Sequence, residues 1–140
     1  GYEGKTVDEF LNLLLESGIL CLVDVRHNPI SRRYGFHKST LMRLCNFLKI
    51  DYQHLPGLGI PGSERDNLSS AAQYTSLFEK YRCSLSSREN DLLDVIDLLK
   101  SKSSVLVCME ADPACCHRNV LAQHLTTLTN MPIKHLGCPK

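Results

Sequence analysis

The run Ile19-Leu20-Cys21-Leu22-Val23-Asp24-Val25 limits the fold more than any other stretch of the chain. It is apolar almost throughout and does not alternate. A strand of that kind is buried on both faces, which in a parallel sheet means helices above and below it. Asp24 is the one exception, and it falls at the carboxyl end.

The flanking segments supply those helices. Thr6-Val7-Asp8-Glu9 has the form of a capping box, Val7, Phe10, Leu11 and Leu14 follow at helical spacing, and Gly18 is a stop. Ser39 is the expected cap of a second helix carried by Leu41, Leu44, Cys45 and Leu48. Ile50 to Leu55 alternates and predicts a short strand ended by Pro56. The glycine-rich stretch from Gly57 to Asn67 is long enough to be a functional loop. Tyr74, Leu77, Phe78 and Tyr81 mark a third helix. Ser86 and Glu89 suggest a second capping box, ahead of Leu92, Leu93, Ile96 and Leu99.

Val105 to Met109 predicts a further strand, and Asp112-Pro113 pairs a capping residue with a helix-first proline. Val120, Leu121, His124, Leu125 and Leu128 share one helical face, and Pro132 to Leu136 is a candidate last strand. Strands alternating with helices imply βαβ units. The expected fold is therefore α/β: a three-layer α/β/α sandwich with a mostly parallel, Rossmann-like sheet. Residues 1–140 are expected to form a single α/β domain. A first strand is expected to be truncated ahead of Gly1.

Composition narrows the class. The chain has 140 residues, 43% hydrophobic and 22% charged, as a globular domain does. A net charge of +1 argues against a general polyanion-coating protein. No apolar run approaches the ~20 residues that span a bilayer, so no membrane partner is expected. Seven cysteines, an odd number, do not suggest a disulfide framework; a reducing, cytoplasmic setting is expected.

In an open parallel sheet, ligands bind outside the carboxyl ends of the strands. That rule places Asp24 and Arg26, then His54, then Cys108 and Glu110 along one rim, with Cys116-His117-Arg118 at the helix start beside them. Asp24 has two readings, a buried ion-pair partner or a group orienting Arg26 or Arg118 for an anion. The loop from Arg26 to Lys38 carries Ser31, Arg32 and Arg33 with Tyr34 and Phe36 between basic residues. Guanidinium forks suit phosphate, and the aromatics could stack on bases. His54 is either a general base or a strand-end histidine satisfied by a carbonyl.

Three readings stay open for the last cluster. Arg118 and the helix N-terminus suit an anion. Cys115 or Cys116 beside His and Arg would have a depressed pKa and act as a nucleophile. Cys108, Cys116 and His117 are ligand types for zinc, although the spacing is not that of a known finger. Other templates fail: six positions after Cys108 stands Ala114 rather than the arginine of a phosphatase loop, and neither G-x-x-x-x-G-K-[ST] nor G-x-G-x-x-G occurs.

Gly1-Tyr2-Glu3-Gly4, Val23-Asp24-Val25-Arg26 with Asn28-Pro29, and Ser31-Arg32 with Gly35-Phe36 resemble the domain of unknown function 488 family. So do Tyr52-Gln53-His54-Leu55-Pro56 with Leu58-Gly59, Cys108-Met109-Glu110 and Cys116-His117-Arg118. The resemblance implies a small α/β domain in which these motifs meet at one site, and it implies no reaction. The leading expectation is binding or processing of a phosphate-bearing, nucleotide-like small molecule. Arg26, Ser31, Arg32 and Arg118 would hold the anion. Glu110 and His117 would be acid/base groups, Asp24 would orient an arginine, and Cys116 is the alternative nucleophile. A nucleic-acid-binding module is the first alternative, and a zinc-binding or thiol-dependent enzyme the second.

Overall fold

The computed structural model describes residues 1–65 and 68–137. Its centre is strand β1 (Cys21–Asp24), buried along its whole length. β2 (Asp51–His54) pairs with one edge of β1 and β3 (Ser104–Val107) with the other, both parallel, giving the order β2-β1-β3. The register puts Asp24 beside His54 on one side and Val107 on the other. The expected rim residues thus share one end of the sheet.

Alternation along β1 divides the core into two layers. Cys21, Val23 and Val25 pack with Leu77, Tyr81, Val95, Leu121 and Leu125. These come from α4 (Ala71–Ser84), α5 (Glu89–Ser101) and α6 (His117–Thr129). Leu22 packs on the opposite face with Phe10, Leu14, Leu41 and Cys45, from α1 (Val7–Glu16) and α2 (Lys38–Phe47). Helices on both faces of a parallel sheet are the α/β arrangement that the β1 sequence demands.

The Thr6–Glu9 capping box is formed, and Gly18 follows α1 with φ +70°. Several expected boundaries move. The N-cap of α2 is His37, with Ser39 inside the helix. Ser86 lies in a 3₁₀ turn, Leu85–Ser87, where its hydroxyl donates to the Cys83 carbonyl, so α5 begins after Arg88 with no side-chain cap. The capping box that does form nearby is Ser70 with Gln73, which starts α4 well before Tyr74. Asp112 caps only the 3₁₀ turn Pro113–Cys115. Residues 132–136 form no strand; the run is too short and polar to add to the edge.

Part of the expected Gly57–Asn67 loop is helical, α3 (Gly62–Arg65). Asp66, Asn67 and Cys138 lie outside the described residues. Two glycines answer to close packing. Gly35, at φ +89°, leaves 2.5 Å between the position of a Cβ and Val7. A Cβ on Gly59 would stand 2.3 Å from the His27 amide nitrogen, so only glycine lets that loop lie against the end of β1.

Candidate functional site

At the end of β1, Asp24 is fully buried and closely bonded. Its carboxylate accepts from Arg26 Nε at 2.8 Å, from Arg26 Nη2 at 2.7 Å and from the Arg26 amide at 3.2 Å. The Tyr52 hydroxyl from β2 donates to the same carboxylate. Burial, and then the negative charge beside it, push the Tyr52 phenol well above its ordinary value. The remaining Arg26 donor, Nη1, reaches the Phe36 carbonyl at 2.7 Å and the Tyr2 hydroxyl at 3.3 Å. Tyr2 also stacks on Phe36, with ring centroids 4.2 Å apart. Ring Nε2 of His54 lies 2.8 Å from the Arg26 carbonyl, and must donate to it. His54 is therefore a strand-end histidine tied to backbone.

At the end of β3 the chain turns through Cys108, Met109 and Glu110 into the Asp112 turn, then into α6. The N-cap of α6 is Cys116, whose sulfur accepts from the Arg118 amide at 3.5 Å. Cys115 is exposed on the turn, whereas Cys116 is 2% exposed and faces inward. Arg118 donates from Nη1 to the Glu110 carbonyl at 2.5 Å and from Nη2 to the Ala111 carbonyl at 3.2 Å. Both its forked donors hold the loop that carries Glu110.

Between these two strand ends lies His117. Its Nε2 is 2.9 Å from the Val25 carbonyl, across 92 positions of sequence. Its Nδ1 is 3.8 Å from Cys108 Sγ and 3.9 Å from Cys116 Sγ. Tyr81 packs edge-on against the imidazole, with ring centroids 5.3 Å apart. Cys116 is held well below the ordinary thiol range, at about 3, first by its hydrogen bond with Cys108, with the Arg118 amide helping. Cys108 moves the other way, first because of its neighbour Cys116 and then because it is buried. Glu110 is raised, first by burial and then by the negative Cys116. Its Oε2 accepts from Cys108 Sγ at 3.3 Å, and its Oε1 lies 3.7 Å from Arg65 Nη1.

A cavity of about 350 Å³ opens on this cluster. Arg26, Cys108, Glu110, Cys116 and His117 form its floor, Arg65 and Asn28 flank it, and Tyr74, Leu77 and Phe78 supply an apolar wall. A larger cavity of about 400 Å³ runs along the outer edge of β3, lined mainly by aliphatic side chains of α1, β3 and α6. Arg118 lines that larger cavity, whereas Arg26, Cys108, Glu110, Cys116 and His117 line the smaller one; Asp24 and His54 line neither.

The structure thus brings together Asp24, Arg26, Cys108, Glu110, Cys116, His117 and Arg118. Ser31 and Arg32 are not among the residues lining this cavity. Ser31 Oγ accepts from the Arg33 amide in a turn, and Arg32 is exposed. The sequence assigns no role to Arg65, and places Tyr2 and Tyr52 at the site only as members of the family motifs. Arg65 sat in the charged loop flagged as functional, but nothing local to it points at Glu110.

Fold and site define a small α/β domain with a thiol–imidazole–carboxylate cluster at the carboxyl rim of a parallel sheet. The chain belongs to the family described as domain of unknown function DUF488, whose model matches residues 6–125. The matched span includes every rim side chain named above except Tyr2. No curated protein and no solved structure matches the chain.

Proposed function

We propose that the rim cavity binds and processes a small phosphate-bearing molecule, nucleotide-like in having a flat apolar part. One observation carries this reading: a single cavity joins a cationic side chain, Arg65, to an aromatic wall, Tyr74 and Phe78, beside a set of titratable groups. Its volume is that of a small-molecule site. A Rossmann-like sheet that binds at its strand ends supports the same placement.

The geometry redistributes the roles among the arginines. Arg26 is paired with Asp24, and Arg118 holds backbone carbonyls. Arg65 has the longest ion pair at the rim and is 37% exposed, so it is the guanidinium free to turn toward a phosphate. Glu110 and His117 are the acid/base groups, with Cys116 beside them. The abundance of thiols, with Cys21 and Cys45 serving as plain core residues, supports a cytoplasmic setting. No described helix is long and apolar enough to cross a membrane.

Thermal shift against phosphate, sulfate and mononucleotides tests the reading. A ligand at ~100 times its dissociation constant stabilises by about 2.7 kcal/mol. We expect such a shift with a mononucleotide in the native protein and its loss in Arg65→Ala. A shift that survives Arg65→Ala removes the assignment of that residue; no shift with any phosphate-bearing compound removes the function.

A second reading rests on Tyr34, 81% exposed beside Arg32 and Arg33 on the loop after β1. An exposed ring next to two arginines in the chain suits single-stranded nucleic acid. Oligonucleotide binding that falls steeply with salt and is lost in Tyr34→Ala would favour it.

A further inference from the structure

We propose that Cys108, Cys116 and His117 form a three-ligand centre for a zinc-class divalent cation, with the fourth coordination position open to the rim cavity. The inference deepens the small-molecule reading and rests on that cavity being the working site.

The donor geometry is the first argument. Cys108 Sγ, Cys116 Sγ and one histidine nitrogen all lie within 4.8 Å of one another. A tetrahedral zinc ion with bonds of about 2.3 Å to sulfur and about 2.0–2.1 Å to nitrogen needs ligand–ligand edges of roughly 3.6–3.8 Å. The two nitrogen–sulfur edges here are 3.8 and 3.9 Å. Those two edges need to contract by only a few tenths of an ångström, and the sulfur–sulfur edge is within 4.8 Å. Two sulfurs and a nitrogen in tetrahedral disposition select zinc over calcium or magnesium, which take oxygen.

The histidine tautomer is the second argument, and it is independent of those distances. A carbonyl oxygen only accepts, so the 2.9 Å contact with Val25 places the imidazole proton on Nε2. In the neutral ring Nδ1 therefore carries the lone pair, and it is Nδ1 that faces both sulfurs. Histidine ligands of metals characteristically donate their other N–H to a carbonyl or carboxylate, which fixes ring and tautomer.

Burial and access are the third. Cys108, Cys116 and His117 are 1%, 2% and 2% exposed, so the ligands come from a dry floor. All three nevertheless line the cavity together with Glu110. A structural zinc site is closed by four protein ligands, whereas a site with three keeps one position for water or substrate. That position would meet a phosphoryl oxygen or a water, and Glu110, next to Cys108, would accept a hydrogen bond from the water.

The test uses the whole chain, loaded with zinc or with cobalt(II) alone. We expect about one zinc per chain, as a single tetrahedral site requires. X-ray absorption on the zinc protein should read two sulfurs at about 2.3 Å and lighter ligands at about 2.0–2.1 Å. Cobalt should give the strong visible bands of a tetrahedral site with thiolate charge transfer. Cys108→Ser, Cys116→Ser and His117→Gln should each weaken zinc binding by more than the ~10–100-fold typical of losing an outer-shell partner. Glu110→Gln should keep the metal. A folded native protein that takes up no zinc and gives no tetrahedral cobalt spectrum overturns the centre. Loss of metal in Glu110→Gln comparable to that in His117→Gln overturns the open position. Should the ligand variants fail to fold, the absorption measurement on the native protein still decides. Metal content is read without any anion, and mononucleotide shift is read before and after chelation. A bound metal with no mononucleotide shift therefore counts against the small-molecule reading alone.

Discussion

The segments that leave β1 and β3 look alike in sequence, each placing an acidic residue near an arginine at the sheet rim, but they differ in what they leave available. At β1, the Asp24 carboxylate and the Arg26 guanidinium meet one another, and their remaining capacity goes to Tyr52, Tyr2 and Phe36. At β3, Arg118 turns away from Glu110's carboxylate to hold carbonyls, leaving Glu110, two thiols and an imidazole lone pair facing one cavity. The β1 end is a brace, whereas the β3 end leaves its polar groups facing a cavity. A charged residue at a strand end is thus no sign of function until its partners are known.

The largest test of this contrast is Asp24→Ala. Removing one member of a buried pair strands the other, at a cost of about 3–5 kcal/mol. Urea unfolding should register that loss, and an effect below that of any β3-end variant would break the comparison. Arg118→Ala comes next: it removes two charge-assisted hydrogen bonds to backbone, for about 2–3 kcal/mol by the same measurement. The variant should also loosen the loop holding Glu110, seen as faster amide exchange at residues 109–112. Tyr52→Phe deletes a single hydrogen bond to a carboxylate that keeps its arginine, so about 1–2 kcal/mol is expected. The smallest effect concerns reactivity rather than stability. In brief alkylation of the zinc-loaded protein read by mass spectrometry, the exposed Cys83 and Cys115 should be modified first. Cys45, pushed up to about 12 by burial, should stay untouched. Cys108 and Cys116 should react only after chelation; labelling of Cys116 ahead of Cys115 in the loaded protein would contradict the metal-held arrangement.

Much of this was legible in the sequence for physical reasons. The unbroken apolar run of β1 admits few alternatives to a covered central strand, and parallel strands necessarily share a carboxyl rim. That is why Asp24, His54, Cys108 and Cys116 could be brought together from sequence alone. What depends on tertiary neighbours was not legible. Ser39, Ser86 and Asp112 are good capping residues by type, yet His37, Arg88 and Cys116 hold those positions, because packing of the helix faces sets where each helix begins. Arg65 reaches Glu110 only through the placement of α3, 45 positions earlier in the chain. The internal use of Arg26 and Arg118 is likewise a matter of distance, which residue type does not reveal.

The bond from His117 to the Val25 carbonyl has a consequence for how the protein tolerates change. A ring oriented by an aspartate can be disarmed by one substitution of that aspartate. Here the orienting group is main chain, present whatever side chain occupies position 25. Point mutations along β1 therefore have little means of altering the imidazole's proton. An insertion or deletion that slides β1 by one residue against β3 removes the carbonyl from its place, even if every side chain at the rim is retained. The ring's orientation is thus protected against substitution in β1 and vulnerable to changes of length, so it is inherited as strand register rather than as the identity of residue 25.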